Sequence, residues 1–247
     1  MSELQHPQSR SFELVAGLYE RARPGYPPEA VAWLAQQLDL RAGRTVLDLG
    51  AGTGKLTRAL VPTGARVIAV EPGDAMLAEL RRVLPDVETL RGAAEAIPLA
   101  DASVDAVTVG QAFHWFRHDE ALPELHRVLR PGGAVGLIWN SRDHSQPLQE
   151  EIGDLIRPFL PPGRPPVGDS TKSLVASPLF GTVEKRTFPF TEQVDADGVV
   201  DRVASISFVA AADAGRREEL LRRVRDAVAG ETEFAYLTDV YISRRAA

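Results

Sequence analysis

The sequence TVLDLGAGTGKLTRAL at residues 45–60, with RVIAVEP close behind it at residues 66–72, decides the fold. A short apolar run leads into a turn that contains Gly50, Gly52 and Gly54, and apolar residues at helical spacing follow this turn. A second apolar run then ends in an acid. A strand, a glycine-rich turn, a helix and an acid-tipped strand in this order predict a βαβ unit with two parallel strands.

Such a unit is a half-site for a nucleoside, because the glycines let the backbone approach a ligand and Glu71 can accept both hydrogen bonds from a ribose diol. The spacing G-x-G-x-G differs from the dinucleotide pattern G-x-G-x-x-G, whose third glycine would stand at Lys55. Leu49 and Leu56 occupy positions where a phosphate-binding P-loop needs glycine and Ser or Thr, which excludes that loop. Asp48 would repel a pyrophosphate, but it suits a ligand that carries an ammonium group.

An acid followed by G-x-G-x-G, with a second strand that ends in an acid, resembles the class I S-adenosylmethionine-dependent methyltransferases. The pattern Y-x-x-x-R-P-x-Y-P at residues 19–27 is similar to a leader in a small-molecule branch of type 11-like methyltransferases that includes trans-aconitate methyltransferase-like proteins. In that branch the leader folds over the cofactor, and Arg23 can pair with the methionine carboxylate. The resemblance covers residues 12–140 and implies S-adenosyl-L-methionine as the cofactor and a small molecule as the methyl acceptor.

Composition limits the other classes of function. The 247 residues are 44% hydrophobic, which suffices for one α/β domain with a buried core. No apolar run approaches the roughly 20 residues that span a bilayer, and the polar amino terminus does not resemble a signal peptide. We therefore expect a cytoplasmic protein that does not bind membranes. The net charge of −6 argues against nucleic-acid binding, and the absence of cysteine and of a histidine ligand set argues against a metal site.

Strand and helix patterns alternate along the chain, which predicts an α/β fold with a doubly wound, mostly parallel sheet. The sequence RPGG at residues 130–133 predicts a turn before a fifth strand. The resemblance implies a Rossmann-like sheet of seven strands with an antiparallel last strand, an N-terminal helical cap and an inserted lid. The expected parts of this single domain (1–247) are the cap at 12–40, the cofactor-binding core at 44–140, lid or substrate elements at 141–181 and 191–230, and the final strands at 182–190 and 234–243.

Cofactor contacts are expected at the carboxyl ends of the strands, where parallel sheets bind ligands. Asp48 and the glycine turn would hold the amino-acid end of the cofactor, and Glu71 would hold the ribose. Ala93 stands where many relatives carry an aspartate for the adenine amino group, so we expect that contact at Ala94 and Glu95. The resemblance implies a full set of cofactor-binding residues that consists of Tyr19, Arg23, Asp48, Gly50, Ala51, Gly52, Glu71, Pro72, Met76, Ala94, Glu95, Gln111 and Ala112.

The acceptor pocket is expected between the ends of strands four and five and the lid. Its predicted residues are His114, Trp115, Phe116, Trp139, Asn140, Arg142 and Phe208. A wall of rings suits a sulfonium and an aromatic or part-apolar acceptor, and Arg142 leaves room for a carboxylate on that acceptor. His114 has two interpretations. It is the catalytic base that takes a proton from a hydroxyl or an amine, or it packs against Trp115 and orients the loop.

The predicted reaction is methyl transfer to an oxygen of a small molecule, with nitrogen as the alternative. The segment QAFH at residues 111–114 differs from the (Asp/Asn)-Pro-Pro-(Tyr/Phe) box of amino-methylating relatives, which disfavours adenine- or glutamine-type N-methylation. Two other classes remain open. One is a non-catalytic cofactor-binding scaffold of the same fold, and the other, which the glycine spacing disfavours, is a nicotinamide-dependent oxidoreductase.

Overall fold

The computed structural model describes residues 16–161, 171–228, 230 and 232–247. The strands are β1 (Thr45–Leu49), β2 (Arg66–Glu71), β3 (Glu88–Arg91), β4 (Val104–Gly110), β5 (Leu129–Arg142), β6 (Glu184–Val194) and β7 (Thr232–Arg244). The helices are α1 (Ala16–Ala22), α2 (Pro28–Gln37), α3 (Lys55–Leu60), α4 (Asp74–Val83), α5 (His118–Val128), α6 (Pro147–Ile156), α7 (Lys172–Ala176), α8 (Ala196–Ala204), α9 (Ser207–Ala210) and α10 (Ala214–Ala227). No helix in this part of the chain is both long and apolar enough to span a membrane.

The seven strands form one sheet in the order β3-β2-β1-β4-β5-β7-β6. The strands β1 to β5 pair in parallel, and β7 lies antiparallel between β5 and β6. This arrangement confirms the predicted doubly wound α/β fold with an antiparallel last strand. The strand order reverses between β1 and β4, so the carboxyl ends of these strands open a crevice in which a ligand can bind.

The central strand β1 shows how the sequence buries both faces of the sheet. Val46 packs in an apolar cluster with α2 and α3, whereas Leu47 and Leu49 pack in a second cluster with α5 and α7. Side chains alternate between the two faces along a strand, and a central parallel strand is covered by helices on both sides. The nearly continuous apolar sequence of β1 follows from this double burial.

The start of β5 differs from the sequence prediction. A turn is predicted at residues 130–133, but these residues lie within β5. Leu129 already pairs with Val104, and the register then shifts before Ala134 pairs with Ala106. The predicted boundary is therefore wrong, because the turn sequence forms an irregular part of the strand and does not separate β5 from α5.

A third apolar cluster lies beside the amino-terminal end of β7. The strand contributes Phe234 and Tyr236, and the helices α6, α8 and α10 contribute Ile152, Val199 and Val224, among others. These helices occupy regions that the sequence assigns to lid or substrate elements. The Pro/Gly-rich residues 162–170 of the predicted lid, and residues 12–15 of the predicted cap, lie outside the described residues.

Candidate active site

A cavity of about 890 Å³ opens at the carboxyl ends of β1, β4 and β5. Its volume is in the range of small-molecule sites. The walls come from the glycine turn after β1, the loop after β4, the end of β5, and the helices α1, α6 and α8. The predicted site residues that line this cavity are Tyr19, Arg23, Asp48, Gly50, Ala51, Gly52, Gln111, His114, Trp115, Trp139, Asn140, Arg142 and Phe208.

The glycine turn after β1 is held against β2. The N–H groups of Gly50 and Ala51 donate to the Val70 carbonyl at 2.8 and 3.1 Å. Gly50 has a φ of +68°, and a Cβ at this position would lie 2.8 Å from the Cβ of Ala112. Gly52 has a φ of +58° and open space where a Cβ would stand. Glycine adopts both conformations without strain, so the turn leaves its backbone accessible to a ligand.

Asp48 borders the cavity from a fully buried position. Its carboxylate accepts hydrogen bonds from Thr57 Oγ1 at 2.6 Å and from Thr108 Oγ1 at 3.3 Å. Burial raises the pKa of this carboxyl from its ordinary value of 3.8 to about 6, although the hydrogen bonds oppose the change. A positively charged group bound in the cavity would favour the ionised form of Asp48.

We expect the Asp48 carboxyl to lower the stability of the protein as the pH rises from about 4 to about 6. The folded state holds this proton more tightly than the unfolded state, so the contribution is fully present below pH 4 and is lost as the pH rises through the folded pKa. The loss is on the order of 3 kcal/mol. Asp48→Asn removes the titration, so the stability of the wild type relative to this variant should fall across the window in urea unfolding.

Asp105→Asn is the matched control for this experiment, because the pKa of Asp105 is shifted in the opposite direction. Burial would raise the pKa of Asp105, but the Thr45 N–H and the guanidinium groups of Arg130 and Arg44 outweigh burial and lower it. The contribution of Asp105 is therefore lost as the pH falls. Equal pH profiles for the wild type and Asp48→Asn would contradict a raised pKa at Asp48.

Glu71 ends β2 and joins the glycine turn to the start of α4. Its Oε2 accepts a hydrogen bond from the Gly52 N–H, and its Oε1 accepts one from the Gly73 N–H, both at 2.9 Å. Each oxygen of the carboxylate thus accepts one backbone N–H group of this region. Glu71 therefore stabilises the turn from the end of β2, where the sequence predicts the ribose contact.

Helix α1 is held against the glycine turn by Glu20. The carboxylate of Glu20 accepts hydrogen bonds from Thr53 Oγ1 and Arg58 Nη2, both at 2.6 Å. The Lys55 ammonium donates to the Glu20 carbonyl, also at 2.6 Å. Sequence reasoning did not single out Glu20, because its partners lie 33 to 38 residues away along the chain.

Tyr19 and Arg23 extend from α1 to the cavity. The Arg23 guanidinium lies over the Tyr19 ring, 5.4 Å from its centroid, and Nη2 donates to the Ser205 carbonyl at 3.2 Å. Among the described residues no acid lies within ion-pair distance of Arg23, and its Nε is buried without a hydrogen-bond partner. Burial raises the pKa of Tyr19, Arg23 opposes this, and the carboxylates of Glu71 and Glu20 add to it. These contacts place Tyr19 near Glu71 and leave Arg23 able to bind an anion.

The loop after β4 is tied to the end of β5. Gln111 has a φ of +57°, and its side chain donates to the Asn140 carbonyl at 3.0 Å. The Asn140 side chain donates to the Gly25 carbonyl and accepts from Thr238 Oγ1, each at 2.7 Å. Asn140 therefore lines the cavity, as predicted, and it also positions the amino-terminal loop. This second role was not predicted from the sequence.

Rings form much of the cavity wall. The ring centroids of His114 and Trp115 are 4.6 Å apart, with planes tilted by 42°. The buried Trp139 packs edge-on against Phe113 at 6.4 Å and against Tyr241 at 5.6 Å. The contact between His114 and Trp115 agrees with the packing interpretation of His114. The position of His114 in the cavity wall also agrees with the role of a catalytic base.

Other predicted site residues do not line this cavity, namely Glu71, Pro72, Met76, Ala94, Glu95, Ala112 and Phe116. Met76 and Ala94 are buried. Glu95 Oε1 accepts a hydrogen bond from the Arg117 N–H at 2.8 Å. The cavity therefore covers the methionine and acceptor sides of the predicted site, and the adenine contacts stay a prediction.

Tyr26 is a cavity residue that the predicted set omits, although it belongs to the Y-x-x-x-R-P-x-Y-P pattern. Its hydroxyl approaches β4 so closely that a Cβ at Gly110 would lie 2.6 Å from it. Burial raises the pKa of Tyr26, so the side chain is a neutral phenol near neutral pH. The pattern itself was the feature of the sequence that could have identified this residue.

Similar proteins are known in several organisms. Residues 47–137 match the family model described as a methyltransferase domain. An uncharacterized methyltransferase of Mycobacterium tuberculosis (strain H37Rv) is 46% identical over 222 residues, which are 90% of this chain and 86% of that protein.

Solved structures share the architecture. A protein of Anaeromyxobacter dehalogenans, described as a candidate type II methyltransferase, superposes with a TM-score of 0.70 at 26% identity and covers 90% of this chain and 97% of its own. The fold also matches phosphoethanolamine N-methyltransferase 2 of Haemonchus contortus, solved with phosphomonomethylethanolamine and S-adenosylhomocysteine. There the TM-score is 0.58 at 17% identity, over 100% of this chain and 61% of that one.

Proposed function

Because the chain belongs to the class I S-adenosylmethionine-dependent methyltransferases, we propose that it transfers a methyl group from S-adenosyl-L-methionine to an oxygen of a small molecule. The cofactor-binding residues are those predicted from the sequence. The acceptor enters the cavity between the ends of β4 and β5 and the helices α6 and α8. The segments 141–181 and 191–230 contribute the lid or substrate elements of a single domain.

The observation that carries this proposal is the cavity beside the glycine turn. The methionine part of the cofactor has an ammonium and a carboxylate, and its sulfonium carries a further positive charge. Asp48 offers a carboxylate to the cationic groups, and Arg23 offers a guanidinium without an acid beside it to the carboxylate. Gly52 presents its backbone to open space, and Glu71 offers a carboxylate beside it to the ribose. The residues present therefore fit this cofactor.

The bound cofactor supplies a methyl group that is activated by the sulfonium. The chain binds and orients the two reactants. Tyr19 and Arg23 hold the donor from α1, and the ring of Trp115 attracts a positive charge by about 0.5–2 kcal/mol. Catalysis then depends mainly on the in-line placement of donor and acceptor and on the exclusion of water.

An oxygen acceptor agrees with the polar groups of the cavity. The neutral Tyr26 hydroxyl is a hydrogen-bond donor in the cavity, and a donor orients an oxygen. A hydroxyl loses its proton on methylation, and a neutral imidazole nitrogen of His114 can take it. Asn140 is less suited to bind the acceptor, because both polar atoms of its amide are hydrogen-bonded within the protein.

Isothermal titration with S-adenosylmethionine and with S-adenosylhomocysteine tests this function. We expect both compounds to bind and the reduced nicotinamide dinucleotide not to bind, because the glycine spacing and Asp48 do not suit a pyrophosphate. Folded protein that binds neither S-adenosyl compound would contradict the proposal. Incubation of metabolite pools with methyl-labelled cofactor would then identify the acceptor.

A further inference from the structure

Arg142 is the last residue of β5 and lies where the sheet meets the helices α6 and α8. It pairs in register with Tyr236 of β7, two residues beyond the pair of Asn140 with Thr238. Residues two apart on a strand face the same side and are separated by about 6.5 Å. Arg142 therefore lies beyond Asn140 on the same face of the sheet, and its half-buried side chain lines the cavity.

The guanidinium of Arg142 has no counter-charge within the part of the chain that the structure describes. No carboxylate of these residues lies within ion-pair distance, and Nη1 is buried without a hydrogen-bond partner. Burial lowers the pKa of Arg142, Tyr236 opposes this change, and the positive charge of Arg23 adds to it. An arginine remains protonated in proteins, so its buried charge is unfavourable until a ligand neutralises it.

Two other arginines around the cavity differ from Arg142, because they are paired with acids. Arg202 donates to Glu192 Oε2 at 2.6 Å and to the Tyr236 hydroxyl at 2.7 Å. Arg157 pairs with Asp154 on the same turn of chain.

The remaining titratable groups near Arg142 do not neutralise it. Asp48 is buried against two threonine hydroxyls, and Glu150 on α6 is exposed and makes no ion pair with Arg142. Burial lowers the pKa of His144, and the positive charge of Arg142 lowers it further. The His144 imidazole therefore favours its neutral form.

Trp139 supplies a second donor without an acceptor. Its side chain is 2% exposed, and Nε1 is buried without a hydrogen-bond partner. A buried N–H without a partner is costly, and such groups in native proteins often mark a place for a ligand or a water molecule. Trp139 precedes Arg142 by three residues on β5 and packs in the apolar cluster with Leu47 and Phe113, so the two side chains leave the strand on opposite faces. The two donors therefore do not define one site.

The geometry points to an anionic methyl acceptor: a carboxylic acid whose carboxylate binds Arg142. This inference rests on the proposed function, in which the carboxylate of the cofactor engages Arg23. One free guanidinium matches one carboxylate, because its planar fork donates two parallel hydrogen bonds to the two oxygens. The ring-lined wall accommodates an aromatic or part-apolar body. The carboxylate is the recognition group, and a hydroxyl elsewhere on the molecule receives the methyl group.

The test compares acids with their amides on protein that is saturated with S-adenosylhomocysteine. Isothermal titration with benzoate and benzamide, and with 4-hydroxycinnamate and 4-hydroxycinnamide, should show the acid binding at least about 10-fold more tightly in each pair. Arg142→Gln should remove this preference, and Arg142→Lys should retain part of it, because an ammonium lacks the bidentate geometry. Arg157→Gln is the matched control and should keep the full preference, since that guanidinium already pairs with Asp154.

Three results would overturn the inference: equal affinity for acid and amide in the wild type, no binding of any of the acids, or an unchanged preference in Arg142→Gln. Arg142 makes no ion pair with the described residues, so its replacement should leave the fold and the affinity for S-adenosylhomocysteine unchanged. If S-adenosylhomocysteine does not bind to the wild type, the proposed function itself is wrong. The two failures are therefore distinguishable in one series of titrations.

Discussion

Replacement of Glu71 with alanine is expected to lower the affinity for S-adenosylmethionine by about 100-fold, because two charge-assisted hydrogen bonds to the ribose diol are lost. The same change removes the acceptor of the Gly52 and Gly73 N–H groups. Two backbone amides that lose their acceptor, one buried and one partly buried, should lower the free energy of unfolding by about 1–4 kcal/mol. Isothermal titration and urea unfolding measure the two effects on the same variant.

Asp74→Ala is the matched control for Glu71→Ala. Asp74 follows Glu71 by three residues, but its carboxylate is exposed and pairs with Arg91 at 3.1 Å. An exposed ion pair contributes about 1 kcal/mol or less, so this variant should bind the cofactor normally. Wild-type affinity in Glu71→Ala would contradict the ribose contact. An enzyme should lose cofactor affinity and activity together in this variant, whereas a scaffold should keep its partner interaction.

Replacement of His114 with alanine is expected to lower kcat by about 10²- to 10⁴-fold, because general-base catalysis contributes this much when a proton must leave the acceptor. The affinity for S-adenosylhomocysteine should stay unchanged, since the glycine turn and Glu71 do not depend on this side chain. The wild-type rate should rise with pH near neutrality, because only the neutral imidazole accepts a proton. The residual rate of the variant should be insensitive to pH in that range.

His144→Ala separates a general base from a general effect of histidine loss. His144 also lines the cavity and is exposed, and sequence reasoning gave it no role. A larger loss of kcat in His144→Ala than in His114→Ala would indicate that His144 is the general base. Full activity in His114→Ala would favour the packing interpretation, with a carboxylate acceptor or purely positional catalysis.

The sequence by itself determined the central strands and the glycine turn. In the structure β1 ends directly before the predicted glycine turn, and β2 ends at Glu71, the acid that the sequence predicts at its tip. Glycine at positions 50 and 52 permits the positive φ angles that the turn adopts. Apolar periodicity and glycine are local properties that act within a few residues, so they can be read without knowledge of the rest of the chain.

The helix α6 is an element that local sequence patterns did not predict. No helix is predicted at residues 147–156, yet the structure has one there. Its buried residues Ile152 and Ile156 pack with Val199 and Val224 in the third apolar cluster. Tertiary packing stabilises this short amphipathic helix, and its partners are far along the chain.

The tertiary structure alone decided which side chains of the site are paired. Residue type and spacing placed Glu71, Arg142 and the glycine turn at strand ends, but not the contacts that they make. Glu71 accepts two backbone N–H groups, Glu20 fixes α1 to the turn, and Arg142 is left without an acid among the described residues. Burial and ion pairing depend on segments that meet only after folding. A local sequence therefore determines the backbone conformation of this site, and the packing of distant segments determines the charge that it presents to a ligand.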